Sequence, residues 1–290
     1  MPIKHSELIL NPDGSIYHLS LKPEHISKDL IFVGDPDRVD KVTKHFDTIE
    51  FTAQKREFKT TTGIYKGKRI SVLSTGIGSG NIDIVLNELD ALVNIDLTNR
   101  KIKEKHTSLN IIRIGTSGSL QANIPVDSFL MSTHALDTGG MLHSYILDTI
   151  SHSEMEKAFI HHTDWSSKRA TPIIIGSSQQ LDKKMSSKIL YKGITATADG
   201  FYGPQGRVLR LPVQDPKLNN KINSFNYKGM RITNLEMETS AIYGLSKLLG
   251  HHACSMNAII ANRALGMFST HPNKTVEDLI LYVLNKFAEP

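Results

Sequence analysis

Three apolar runs in this chain each stop at a glycine beside a polar or basic residue, and this arrangement constrains the fold more than any other feature. They end in VGDPDR (33–38), STGIGSGN (74–81) and RIGTSGS (113–119). An aliphatic run bounded by glycine reads as a buried strand. The first is followed by PDRVDKVTKHF (36–46), whose Pro36 stands where a helix tolerates proline. The second leads into SGNIDIVLNELDALVNI (79–95), which has helical spacing. Strands alternating with helices predict a mixed α/β fold around a central sheet.

The rest of the chain agrees with that prediction. Residues 56–76 read as a hairpin turning at Lys66-Gly67-Lys68. VDSFLMSTHAL (126–136) and ACSMNAIIANRA (253–264) read as strands, LEMETSAIYGLSKLLGH (235–251) as an amphipathic helix, and 273–288 as a closing helix. Two polar segments, about 96–108 and 138–170, interrupt the pattern as insertions. No shift in composition marks a linker, so residues 1–290 read as a single domain.

Composition narrows the class of protein. With 39% apolar and 22% charged residues, the chain can bury a large core. Cys254 is the only cysteine, which excludes an internal disulfide and fits a reducing cytoplasm. The N-terminal residues lack a signal-peptide pattern, and no run approaches the ~18 apolar residues of a membrane span. A net charge of +5 favours attraction of a small anion. Nucleic acid is the rival partner, but the lysines are scattered and form no basic stripe with aromatic platforms.

Glycine at a strand end lets backbone N–H groups approach a ligand. Arginine offers a planar fork of donors that matches a phosphate edge. Ligands of open α/β sheets collect at the carboxyl ends of strands. Arg38, Arg113 and Thr116 together therefore suggest an anion site. A dinucleotide site is less well supported, because Asn81 stands where GIGSGN needs its last glycine. The adjacent pairs His161-His162 and His251-His252 form no metal-ligand spacing, and no G-x-S-x-G occurs. Glu236 and Glu238 are two residues apart, which places them on different sides of a helix or on one face of a strand. The loop ADGFYGPQGR (198–207) sets Phe201 and Tyr202 beside Gln205 and Arg207, a set suited to a flat heterocycle.

Taken in order, YHLSL, VGDPDR, REF, STGIG, RIGTSG, FYGPQGR, EMETSA and ANR resemble the superfamily of nucleoside phosphorylases and nucleosidases, and within it the bacterial uridine phosphorylases. The resemblance runs from about residue 16 to the C-terminus. It implies a three-layer α/β/α domain around a mixed, barrel-like sheet. It also implies the reaction uridine + phosphate ⇌ uracil + ribose 1-phosphate, with deoxyuridine and thymidine as further substrates and no organic cofactor. Residue by residue, it assigns phosphate contacts to Gly34, Arg38, Arg113 and Thr116, with Arg56 reaching phosphate across a subunit interface. His18 is implied as a neighbour's contact to the ribose 5′-hydroxyl. Thr116, Glu236, Met237 and Glu238 are implied around the sugar, and Gly118, Phe201, Gln205 and Arg207 around the base. Arg38, Arg113, Gln205 and Arg207 are the implied catalytic set. Some relatives hold a structural potassium ion, which would fall here near Glu57, Ile77 and Asn81. Sites shared in this way imply a dimer or a hexamer.

The match is not uniform. Purine-specific relatives typically carry an aspartate where this chain has Asn262-Arg263, so the resemblance favours a pyrimidine. The order Gly203-Pro204 and the glycine at 206 depart from the usual base loop. The alternatives are a hydrolytic nucleosidase, a purine nucleoside phosphorylase and a non-catalytic nucleobase-binding protein.

Overall fold

The first apolar run forms β1 (Asp29–Val33), buried along its whole length. Such burial is characteristic of a parallel strand covered on both faces. The structure, a computed structural model, describes residues 1–289. After β1 come α1 (Pro36–Thr43), β2 (Thr48–Lys55), β3 (Phe58–Tyr65), β4 (Lys68–Ser74) and α2 (Ser79–Asn94). The first polar insertion holds a short ribbon, β5 (Ile95–Asp96) and β6 (Lys101–Ile102). β7 (Asn110–Ser119) and β8 (Phe129–Asp137) follow. The second insertion contains a 3-10 turn at Met141–Ser144 and α3 (Ser153–Thr163). Next are β9 (Ile173–Gly176), α4 (Gln179–Met185), β10 (Leu190–Thr197), α5 (Leu218–Ser224) and β11 (Asn226–Tyr227). The chain then runs through β12 (Met230–Glu236), α6 (Thr239–Leu248), β13 (His252–Asn262), β14 (Met267–Phe268) and α7 (Pro272–Ala288).

β1 pairs in parallel with β4 and β7, and β7 with β13. β10 is parallel to both β8 and β12. Two antiparallel seams, β13–β8 and β12–β7, join these groups. They close β7, β13, β8, β10 and β12 into a five-stranded mixed barrel, from which β1, β4, β3 and β2 extend as an open sheet. The barrel brings the ends of β7, β10, β12 and β13 close together, although the sequence separates them widely.

Helices cover both faces of the sheet. Val85 and Leu89 of α2 pack with Ile242 and Leu245 of α6 on one side. Val39 and Val42 of α1 pack with Ile280 and Leu284 of α7 on the other. α7 shows why the sequence permits this. Its buried residues Val276, Leu279, Ile280, Val283, Leu284 and Phe287 recur at the spacing of one helical stripe. Each such side chain contributes about 1.5–3 kcal/mol through burial.

One expected element begins in the wrong place. The helix expected over 235–251 starts only at Thr239, and Leu235 and Glu236 belong to β12. Ile232, Asn234, Leu235 and Glu236 of MRITNLE pair with β10. The buried Glu236 carboxylate then accepts the backbone N–H groups of Glu238 and Thr239, which fixes the helix start behind it.

β8 carries a titratable group with a consequence for stability. His134 lies beside His152, with ring centroids 5.1 Å apart. Burial, then the charges of His152 and Lys247, push its pKa down to about 4. The unfolded chain takes up this proton near pH 6.5, whereas the folded chain resists it until about pH 4. Stability is therefore expected to fall as pH drops across that window. Urea midpoints for the parent and His134→Gln check this: the variant should show a flatter profile, and parallel profiles would contradict the assignment.

Candidate active site

VGDPDR and STGIGSGN follow the ends of β1 and β4, whereas RIGTSGS, expected to close a strand, lies inside β7, which runs on to Ser119; all three motifs converge on one cavity of about 770 Å³. β1 supplies the turn Gly34-Asp35 that feeds α1, and the Asp35 carboxylate caps that helix by accepting Asp37 N–H at 2.8 Å. Arg38 in the first turn of α1 lines the cavity and donates to the Ile114 carbonyl at 3.4 Å. From β7 come Arg113, Thr116, Ser117 and Gly118. The end of β12 and the turn after it provide Glu236, Met237 and Glu238, while the loop after β10 provides Phe201, Gln205 and Arg207.

Electrostatics centre on Arg113, which is 7% exposed. Its Nη2 donates to Glu238 Oε2 at 2.6 Å and lies 3.3 Å from Glu236 Oε2, while Nη1 donates to Asn257 Oδ1 at 3.0 Å. Burial opposes the cation, but the two carboxylates outweigh it and raise the Arg113 pKa. Burial likewise raises the pKa of Glu236, with Arg113 pulling it back. Glu236 is further occupied by the Thr197 hydroxyl at 2.7 Å and by the two amides at the start of α6. Glu238 Oε1 accepts Gly78 N–H at 2.7 Å. Both glutamates are thus committed to holding Arg113 and the neighbouring turns.

Arg38 is less well compensated. Burial, then the positive charge of Arg113, lower its pKa, and among the described residues no carboxylate forms an ion pair with it. Arg38 and Arg113 thus border a cavity that Arg207 also lines, and among the described residues ion pairs neutralise Arg113 but not Arg38. That arrangement suits an anion.

The aromatic loop has its own internal order. Arg207 stacks on the Phe201 ring at 3.8 Å, and its Nη1 donates to the Phe201 carbonyl at 2.6 Å and to Gln205 Oε1. Gln205 is 3% exposed. Its amide is held in one orientation, with the oxygen toward Arg207 and the NH2 group carrying no protein partner among the described residues. Gly206 takes the left-handed conformation at φ 68°, where a Cβ would meet Asn219 Nδ2 at 2.4 Å, so glycine is required there. The Gln205 carbonyl accepts from Asn219 Nδ2 at 3.1 Å and from Arg263 Nη2 at 2.9 Å. Pro204 sits inside the 3-10 turn Gly203–Gln205 and packs toward Gly200. The reversed Gly203-Pro204 order is thus accommodated by a tight turn that still delivers Gln205 to the cavity.

All the expected site residues line this cavity except His18 and Arg56. His18 is tied to α2, with Nδ1 2.6 Å from Glu88 Oε1. Arg56 occupies the exposed turn between β2 and β3, at φ 56°. Glu57, Ile77 and Asn81 border the cavity, and Asn81 Nδ2 donates to the Ile77 carbonyl at 3.4 Å. Sequence reasoning missed Asn257, Thr197, Asn219 and the loop-holding role of Arg263. Asn257 left one trace, as the amide within the otherwise largely apolar run ACSMNAIIA. Asn262 is consumed structurally: its Nδ2 donates to the carbonyls of Gln121 and Ile124, and its Oδ1 accepts Leu265 N–H.

Comparison with known proteins adds independent observations. The family model described as Phosphorylase superfamily matches residues 28–286. A uridine phosphorylase of Thermococcus kodakarensis is 29% identical over 88% of this chain and 80% of its own length. A uridine phosphorylase of Haemophilus influenzae is 26% identical over 86% of this chain and 87% of its own. A crystal structure of a Trypanosoma brucei nucleoside phosphorylase, described as showing uridine phosphorylase activity, superposes with a TM-score of 0.87 at 29% identity, covering 97% of this chain and 99% of that one.

Proposed function

Since the chain belongs to the phosphorylase superfamily, we propose that it catalyses reversible phosphorolysis of uridine to uracil and ribose 1-phosphate. The observation that carries this reading is the pairing, across one cavity, of Arg38, which makes no ion pair among the described residues, and Arg113 with the fixed amide of Gln205. The relatives named uridine phosphorylase support the same substrate.

In this reading phosphate sits against Gly34, Arg38, Arg113 and Thr116. The sugar lies over Met237, and its hydroxyls approach Glu238, with Glu236 holding Arg113 behind them. The bond from the sugar's anomeric carbon to base N1 breaks with its electron pair leaving on the base. The sugar gains oxocarbenium character, and a phosphate oxygen forms the new bond to the anomeric carbon. Phosphate bound by the arginines supplies negative charge beside the developing cation. Uracil leaves as an anion that takes a proton from water. Gln205 NH2 donates to one base carbonyl, and the second lone pair of Gln205 Oε1 accepts the base N3–H. Arg207, which already orients that oxygen, adds positive charge at the far edge. Donors aimed at charge that grows in the transition state are the ones that accelerate a reaction. Phosphate is the co-substrate, and no step calls for an organic cofactor.

His18 and Arg56 do not line their own cavity, which fits a homo-oligomer in which a neighbouring copy receives them. A dimer and a hexamer both satisfy this. Glu57, the Ile77 carbonyl and Asn81 carry hard oxygens of the kind an alkali cation takes, which supports a structural potassium ion there with no role in bond breaking. One twelve-stranded sheet that takes in every strand except the β5–β6 ribbon supports treating the chain as a single unit.

Asn262 argues for pyrimidine over purine. Its amide is fully engaged, and it offers no carboxylic acid to protonate a purine N7. A panel of uridine, deoxyuridine, thymidine, cytidine and inosine, each with phosphate, tests this. Uridine or its deoxy and methyl relatives should turn over fastest. Faster turnover of inosine would overturn the pyrimidine assignment.

A further inference from the structure

We infer that Asn257 is a positioning residue for phosphate binding, acting through Arg113; this inference rests on the phosphate reading above. Asn257 lies in the middle of β13, is 0% exposed, and pairs in register with Gly115 of β7. Its Oδ1 accepts from Arg113 Nη1 at 3.0 Å. The acceptor assignment is fixed by chemistry, since a guanidinium can only donate. Asn257 Nδ2 is buried and has no partner among the described residues. A buried amide donor left unsatisfied opposes folding, so stability alone does not account for an asparagine here.

The backbone beneath it explains how the contact is made. Arg113 folds back over Gly115: a Cβ on that glycine would lie 1.7 Å from Arg113 Nη1 and 2.8 Å from Asn257 Oδ1. The bare glycine thus leaves room over β7 for the guanidinium to lie beside Asn257 on its way to the cavity. At its far end two carboxylates pull on Nη2, at 2.6 Å and 3.3 Å. Without Asn257 the guanidinium would be held from that side alone, and it could rotate fully onto Glu236 and Glu238. Asn257 holds Nη1 against this pull. The guanidinium is pinned at two nitrogens, and its remaining N–H groups stay available to an anion.

The test measures how much phosphate, and separately uridine, raises the unfolding temperature of the full-length protein and of Asn257→Ala. A ligand that binds only the folded state raises stability according to its concentration over Kd. The parent should be stabilised by both ligands. In Asn257→Ala at least tenfold more phosphate should be needed for the same rise, while the uridine response stays within about twofold. A merely structural role would lower the starting temperature and leave both responses intact. Should the alanine variant fail to fold, Asn257→Leu keeps the volume in the core and removes the acceptor oxygen without adding a charge. It should fold and should lose phosphate affinity at least tenfold, again sparing uridine. A phosphate response equal to the parent's, in whichever variant folds, would overturn the inference alone. No phosphate response in the parent would overturn the phosphate reading, and this inference with it.

Discussion

Arg113→Ala is expected to lower kcat/KM for uridine phosphorolysis by about a thousandfold or more. Removing one well-placed donor to a developing charge typically costs about 10²–10³ in rate, and here a buried cation is lost beside phosphate. The same change leaves Glu236 and Glu238, 5% and 6% exposed, as neighbouring carboxylates without their counter-ion. Breaking a buried ion pair from one side costs about 3–5 kcal/mol. Part of that cost will be relieved by proton uptake, because burial already holds the Glu236 pKa up. Arg113→Ala should therefore unfold at markedly lower urea and become more stable as pH falls from neutrality toward 5, as the buried Glu236 carboxylate takes up a proton. Steady-state kinetics together with urea titrations at both pH values check the two halves separately. A variant with activity within tenfold of the parent would remove Arg113 from the phosphate site.

The second large effect is expected at Gln205. Gln205→Ala should cut kcat/KM for uridine about 10²-fold or more with the fold intact. The side chain is buried, yet among the described residues its amide bonds only to Arg207. Its loss therefore removes little that the folded state needs. The transition state, by contrast, loses a donor to the uracil carbonyl and an acceptor for N3–H. Each charge-assisted bond of this type is worth about 1.5–3 kcal/mol. Arg207 loses its anchor at the same time. Cytosine lacks the N3–H, so the preference for uridine over cytidine should narrow in this variant. Unchanged uridine turnover would exclude Gln205 from the base site.

These two residues were legible in the sequence for different reasons. Arg113 stands in one of the glycine motifs, where local pattern and chemistry coincide. Gln205 stands in a loop whose composition suits a flat ligand, although its single fixed amide orientation depends on Arg207. The α/β class and the barrel-like sheet were readable from apolar runs and from the resemblance. The start of α6 was not, because Leu235 and Glu236 satisfy a helical pattern while β10 claims them as strand. Asn257 was least legible. Its contact to Arg113 spans 144 positions and exists only because the register of β13 on β7 brings Asn257 opposite Gly115. His18 and Arg56 mark a different limit. Their positions away from the cavity follow from local structure, but their proposed purpose lies in a second copy of the chain.

The central claim is that phosphate, held by the arginines, is the nucleophile. Uracil release from uridine, followed by absorbance with and without inorganic phosphate, tests it most directly. The account predicts release only when phosphate is present, with ribose 1-phosphate formed in equal amount. Equal release in phosphate-free buffer, with free ribose as the product, would contradict it and identify a hydrolase.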